Sequence, residues 1–192
     1  MKYPVKNPII VKQAKEKLGL NPVFLDTETT GLGDSDRIIE VAIVDMQGTP
    51  LLNSLINPGM QIPVEASRVN HITNDMVTNA PLWQEIWPKV EEILRGRLIG
   101  IYNAEYDLRM LSQSNKIAGL DWRLKGIQSF CVMQLYSEWY GERNMRYNDF
   151  KWHKLEVAGR VCKIKMPISH RAVNRGGYAL HCRKSLRYMA NP

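Results

Sequence analysis

Apolar positions follow two rhythms along this chain. Residues 12–18 have helical spacing and are closed by Gly19, which predicts a short helix. "PVFLDTET" breaks that rhythm: it is an apolar, β-rich run ending in polar residues, and "TGLGDSD" after it has the Gly and Asp of a loop. "RIIEVAIVDM", the turn "QGTP", and "LLNSLIN" halting at Pro58-Gly59 complete a three-stranded antiparallel meander. Helical spacing returns after Pro63 in two short candidates, the second being "NDMV" with Thr73 as N-cap, and then in the longer "LWQEIWPKVEEILRG". "RLIGIYN" predicts a fourth strand and "AEYDLRMLSQSNKIAG" the helix behind it. "IQSFCVMQLYSEWYG" is a strand running into a helix, and "KWHKLEVAGRVC" is a further helix. Residues 140–151, polar and rich in Arg and Asn, read as a mobile loop. A meander followed by alternating helices and strands predicts an α/β fold with a sheet of mixed direction. No internal repeat or second domain is visible, so residues 1–192 form one domain, with 1–20 as an N-terminal extension.

Composition narrows the class. The 192 residues are 44% apolar and 23% charged, as in a globular protein rather than a disordered or fibrous one. No run approaches the roughly 18 apolar residues of a membrane span, and the first residues have no continuous apolar segment of a secretory leader; a cytoplasmic location is expected. Cys131, Cys162 and Cys182 form no CxxC pair and no even set, so they read as free thiols rather than as a zinc site. The net charge of +7 is unevenly spread: residues 157–192 carry eight basic residues and no acid. Such a tail suits a polyanion such as nucleic acid, or is a solvated basic helix.

Candidate chemistry begins at the end of the first strand. Asp26 and Glu28 are two apart, so both carboxylates point to one face. Like charges that close raise each other's pKa unless a cation lies between them, and paired oxygens suit the hard ions Mg²⁺ or Mn²⁺. A solvent-facing acid beside a turn-capping acid is the plainer account of the same spacing. Asp107 opens the helix after the fourth strand, where it either joins the first pair at the strand ends or balances the helix dipole.

In order, "FLDTETTGL", "IIEVAIVD", "ASRVNHITNDMV", "YNAEYDLRML" and "HRAV" resemble the DEDD exonucleases of the histidine subtype, the DnaQ-like group that includes polymerase proofreading subunits and RNase T. The resemblance runs from about Pro22 to the C-terminus. It implies an RNase H-like mixed five-stranded sheet flanked by helices. It also implies removal of nucleotides from 3′ ends by two-metal hydrolysis, with Mg²⁺ or Mn²⁺ held by Asp26, Glu28 and Asp107. His170 corresponds to the general base, a role that a neutral imidazole fills at pH 7 without adding negative charge beside the phosphate. Thr27, Thr29, Thr30, Gly31, Leu32, Ile72 and Asn103 are then candidate contacts to the terminal nucleotide, with Leu32 and Ile72 packing on bases. The implied partners are single-stranded 3′ ends, DNA ahead of RNA, and a homodimer mate or polymerase-type subunit.

The chain departs from this pattern at three places. Tyr102 stands where histidine is common and Tyr106 where Phe is common, and both keep an aromatic ring. The third departure removes a ligand: five residues after His170, where the family has its fourth aspartate, this chain has Arg175, beside Asn174. A guanidinium there repels dications. Three readings follow: an exonuclease altered at this position, a degenerate nuclease that still binds 3′ ends, or a non-enzymatic interaction module on the same fold.

Overall fold

The computed structural model describes residues 3–122, 126–164 and 177–192. His170, Asn174 and Arg175 lie outside the described residues. The elements in chain order are α1 (Pro8–Gly19), β1 (Val23–Thr29), β2 (Ile38–Val44), β3 (Pro50–Leu55), α2 (Val64–Asn70), α3 (Asn74–Val77), α4 (Trp83–Leu94), β4 (Leu98–Ile101) and α5 (Ala104–Ile117). They continue with β5 (Gln128–Cys131), α6 (Val132–Tyr140), β6 (Arg143–Asn144), β7 (Asp149–Phe150), α7 (Leu155–Val161) and α8 (Gly177–Ala190).

Five strands form one sheet in the order β3-β2-β1-β4-β5. The pairs β1–β2 and β2–β3 are antiparallel, and β1–β4 and β4–β5 are parallel. This is the expected mixed sheet. Alternation along the strands divides the core in two. Val23, Leu25, Val41 and Ile43 face Trp83, Trp87, Val90, Met110 and Leu111 of α4 and α5. Phe24 and Val44 face Ile10 and Ala14 of α1, Tyr136 and Trp139 of α6, Ala158 of α7, and Ala179, Cys182 and Leu186 of α8.

Three local readings change. The polar stretch after α6 is a two-stranded ribbon, with Arg143 opposite Phe150 and Asn144 opposite Asp149, rather than an open loop. The N-terminal helix begins at Pro8, with the Asn7 side chain accepting from the Ile9 N–H, and its buried Ile10 and Ala14 make it part of the core rather than an appendage. The basic C-terminal segment contains α8, which packs on β1, β2 and β4 and buries Arg183, whose Nε donates to the Met46 carbonyl at 2.6 Å. A solvated helix does not describe it. Among the described residues, no helix is long and apolar enough to cross a membrane.

Candidate active site

The site exists because two neighbouring strands end at different heights. The parallel ladder between β1 and β4 has only the pairs Val23–Ile99 and Phe24–Gly100, while β1 runs on to Thr29. Beyond that fork the Thr27 N–H has no β4 partner. It donates instead to Asp107 Oδ1 at 2.9 Å, and the Thr27 hydroxyl donates to the same oxygen at 2.8 Å. Asp107 stands in the first turn of α5, so β4 and its turn deliver this carboxylate to the open end of β1.

Asp26 and Glu28 lie on the face of β1 that also carries Phe24, toward α8. Asp26 Oδ2 is buried and accepts no hydrogen bond from the described residues. Burial, followed by the fields of Asp107, Glu28 and Glu40, drives the Asp26 carboxyl well above the usual carboxylate range. Burial and the charges of Glu40 and Asp107 push Glu28 to about 8. Burial raises Asp107 to about 7 against the opposing pull of the Thr27 hydrogen bonds. The three sequence-predicted acids are therefore one electrostatic group, and each is costly to ionise without a cation.

Glu40 was not legible as part of this group. It is fully buried on β2 and pairs in register with Glu28, so both side chains share a face. The available signal was an acid inside the otherwise apolar run "IIEVAIV".

Two clefts meet at Glu28. One, of about 670 Å³, is lined by Asp26, Glu28 and Asp107 on one side and by Lys154, Glu156, Arg160 and Tyr178 on the other. Tyr178 OH donates to Glu156 Oε1 at 2.7 Å, and burial together with Glu156, Glu28 and Asp26 raises its pKa. The second, of about 550 Å³, is lined by the turn after β1 and by α2. Thr27, Glu28, Asn103 and Tyr106 border both.

The turn is held from inside and from α5. Thr30 Oγ1 donates to Asp36 Oδ1 at 2.6 Å, and the Gly33 N–H donates to Asp36 Oδ2 at 2.7 Å. A Cβ at Gly31 would meet the Asp36 carboxylate at 2.6–2.8 Å, so a larger residue would have to displace Asp36 from its bonds to Thr30 and Gly33. Tyr106 OH donates to the Gly31 carbonyl at 3.0 Å and shares a hydrogen bond with Thr29, while Arg109 and Gln113 hold the Leu32 and Gly33 carbonyls. Leu32, 77% exposed, faces outward from this clamp.

Of the seven expected substrate contacts, Thr27, Thr29, Thr30, Gly31, Leu32 and Asn103 line the second cleft. Ile72 does not. It is fully buried against Ile39, Ile62 and Val77, which corrects its expected packing on a base. His71 closes α2 at a φ of 57°, and Asn70 Oδ1 accepts from the Ile72 N–H while Asn70 Nδ2 donates to the Thr29 carbonyl. The chain thereby turns Ile72 inward and leaves the exposed Val69 at the cleft.

Asp26, Glu28 and Asp107 are the oxygen donors that could hold a hard divalent ion, and the unsatisfied Asp26 Oδ2 fits that chemistry. The set is open. Among the described residues, no three Asp, Glu, His or Cys side chains stand close enough to hold an ion by themselves.

The sequence pattern of the RNase T exonuclease family matches residues 23–174. The chain is 39% identical to the uncharacterized exonuclease CP81 of Escherichia phage 186, covering 79% of this chain and 79% of that protein. It is 28% identical to the DNA polymerase III subunit epsilon of Treponema pallidum, covering 82% of this chain and 79% of the subunit. Its fold is similar to the nuclease domain of 3′hExo, a DEDDh family member solved with rAMP, at 14% identity and a TM-score of 0.68 over 88% of this chain and 90% of that one.

Proposed function

Because the chain belongs to the RNase T exonuclease family, with the RNase H-like fold and DnaQ-like relatives, we propose that it removes nucleotides from the 3′ ends of single-stranded DNA. The observation that carries this reading is that Asp26, Glu28 and Asp107 line one cleft, which shares Glu28, Thr27, Asn103 and Tyr106 with the cleft under the turn after β1. Water attacks the last phosphodiester, the bond from phosphorus to the 3′ oxygen breaks, and the products are a nucleoside 5′-monophosphate and a strand with a new 3′ hydroxyl. Thr29, Gly31 and Leu32 position the terminal nucleotide, and Leu32 with Val69 offers its base an apolar bed. Asn103, exposed at the junction, reaches the sugar and phosphate. Asp26, Glu28 and Asp107 would hold Mg²⁺ or Mn²⁺, which supplies positive charge for the developing phosphorane. His170 takes the proton of the attacking water.

Arg175 sets the level of activity. At the sequence position of the family's fourth acid it supplies no oxygen ligand, and its positive charge would oppose the binding of a dication. A 5′-labelled strand incubated with Mg²⁺ or Mn²⁺ should shorten slowly from its 3′ end, and Asp26→Ala should stop the reaction. Arg175→Asp should accelerate it by about tenfold or more, since regaining ~1.4 kcal/mol is already a factor of ten. Silence of both the parent chain and Arg175→Asp with metal present would sink the enzymatic reading. The same Arg175 favours a second reading, a degenerate nuclease that retains 3′ ends, which predicts salt-dependent strand binding without cleavage. An RNA strand of the same sequence tests the DNA preference, which rests on the polymerase subunit among the relatives.

A further inference from the structure

The β6–β7 ribbon displays rings and cations outward next to the cleft. Met145, Tyr147 and Trp152 are 95%, 68% and 61% exposed. Arg143, Arg146, Lys151 and Lys154 stand among them, against the acids Glu142 and Asp149. Lys151 Nζ is paired with Glu142 at 2.9 Å. The two arginines lie on rings instead: the Arg143 guanidinium is 4.3 Å from the Phe150 centroid and that of Arg146 is 5.6 Å from Tyr147. A guanidinium over a ring can still turn N–H groups to a phosphate, while Trp152 and the face of Tyr147 away from Arg146 can take unpaired bases.

The ribbon is also anchored at the right place. Its backbone closes through the Lys151 N–H to the Glu142 carbonyl at 2.8 Å. At its root, Tyr102 OH donates to the His153 carbonyl at 2.8 Å, and the His153 ring packs edge-on against Tyr140 and Tyr136 of α6. The next residues, Lys154 and Leu155, line the same cleft as the three acids.

We propose that the β6–β7 ribbon is the track for the single strand on the 5′ side of the scissile phosphate, with Tyr147 and Trp152 stacking bases and Arg143 and Arg146 holding phosphates. It rests on the reading of the cleft as a 3′-end site. Paired bases present no free faces to these rings, so the partner is a single strand rather than a duplex.

The test is binding by fluorescence anisotropy in EDTA, using a trinucleotide and an oligomer of about 12 nucleotides, within the span such sites cover. The full chain is compared with the variant Arg143→Ala/Arg146→Ala/Tyr147→Ala/Trp152→Ala, whose altered side chains lie on the surface. The variant should bind the oligomer roughly tenfold or more weakly and the trinucleotide as before. Arg143→Ala/Arg146→Ala alone should reduce the slope of log affinity against log salt by roughly 0.7 per lost phosphate contact. Equal oligomer binding by the parent and the fourfold variant overturns the track and leaves the cleft reading standing. Equal weakening of both lengths, or a blunt duplex bound and weakened like the strand, also overturns it. Failure of the parent chain to bind the oligomer overturns the track, while the cleft reading is decided separately by the metal-dependent cleavage assay.

Discussion

Asp107 accepts two hydrogen bonds from Thr27 and still titrates near 7, so at this position burial outweighs hydrogen bonding. The consequence for stability has a definite sign. An ordinary carboxyl ionises near 4 in the unfolded chain, whereas Asp107 and Glu28 hold their protons to about 7 and about 8 when folded. The metal-free fold therefore binds more protons than the unfolded chain in that interval, and these groups make it lose stability as pH rises from about 4 through about 8. Thermal melts in EDTA should show Asp107→Asn flattening this decline and melting above the parent at pH 8. A steeper decline in Asp107→Asn would show that the carboxyl is not held in its acid form. The acids themselves were legible because strand alternation fixes the relation of Asp26 to Glu28. Ile72 was misread because nothing in "NHIT" announces that Asn70 and His71 will turn the next side chain into the core.

At the scale of elements, α8 is the instructive case. Its basic residues suggested either a surface for a polyanion or a solvated helix, yet Ala179, Cys182, Leu186 and Met189 are spaced three, four and three apart and form a buried stripe. The period was present in the sequence and the charge obscured it. Arg183 lies buried among these residues by giving its Nε to a carbonyl, and Arg187 stays exposed. α1 is bound into the same layer, where Ile10 is 2% exposed. Ile10→Ala should cost about 2–5 kcal/mol, the range for a buried aliphatic truncation, and lower Tm by roughly 4–20 °C for a chain of this size. A shift below ~2 °C would mean that α1 is an appendage after all. The ribbon was missed because its strands pair at only two positions each, too short for a period-2 signal.

For the whole molecule, one sheet orders everything around the acids. The antiparallel half brings Glu40 beside Glu28, the parallel half brings Asp107 to Thr27, and the layers of α5 and α8 close the two sides. The mixed direction of the sheet was readable from the alternation of strands and helices and its five strands from the family resemblance, whereas the place of Glu40 was not. The joining of the two clefts was not, because it depends on the separation of side chains far apart in sequence.

The early end of the β1–β4 ladder has one more effect. It leaves the Thr27 amide, a backbone N–H of the central strand, donating directly to the Asp107 carboxylate. Its ¹⁵N–¹H resonance should move with pH around 7 in the metal-free protein and stop moving when a divalent ion binds the carboxylates. A resonance indifferent to both would dissociate the amide from the site. The fork in the sheet thus gives the protein an internal gauge of occupancy, readable whether or not any strand is being cut.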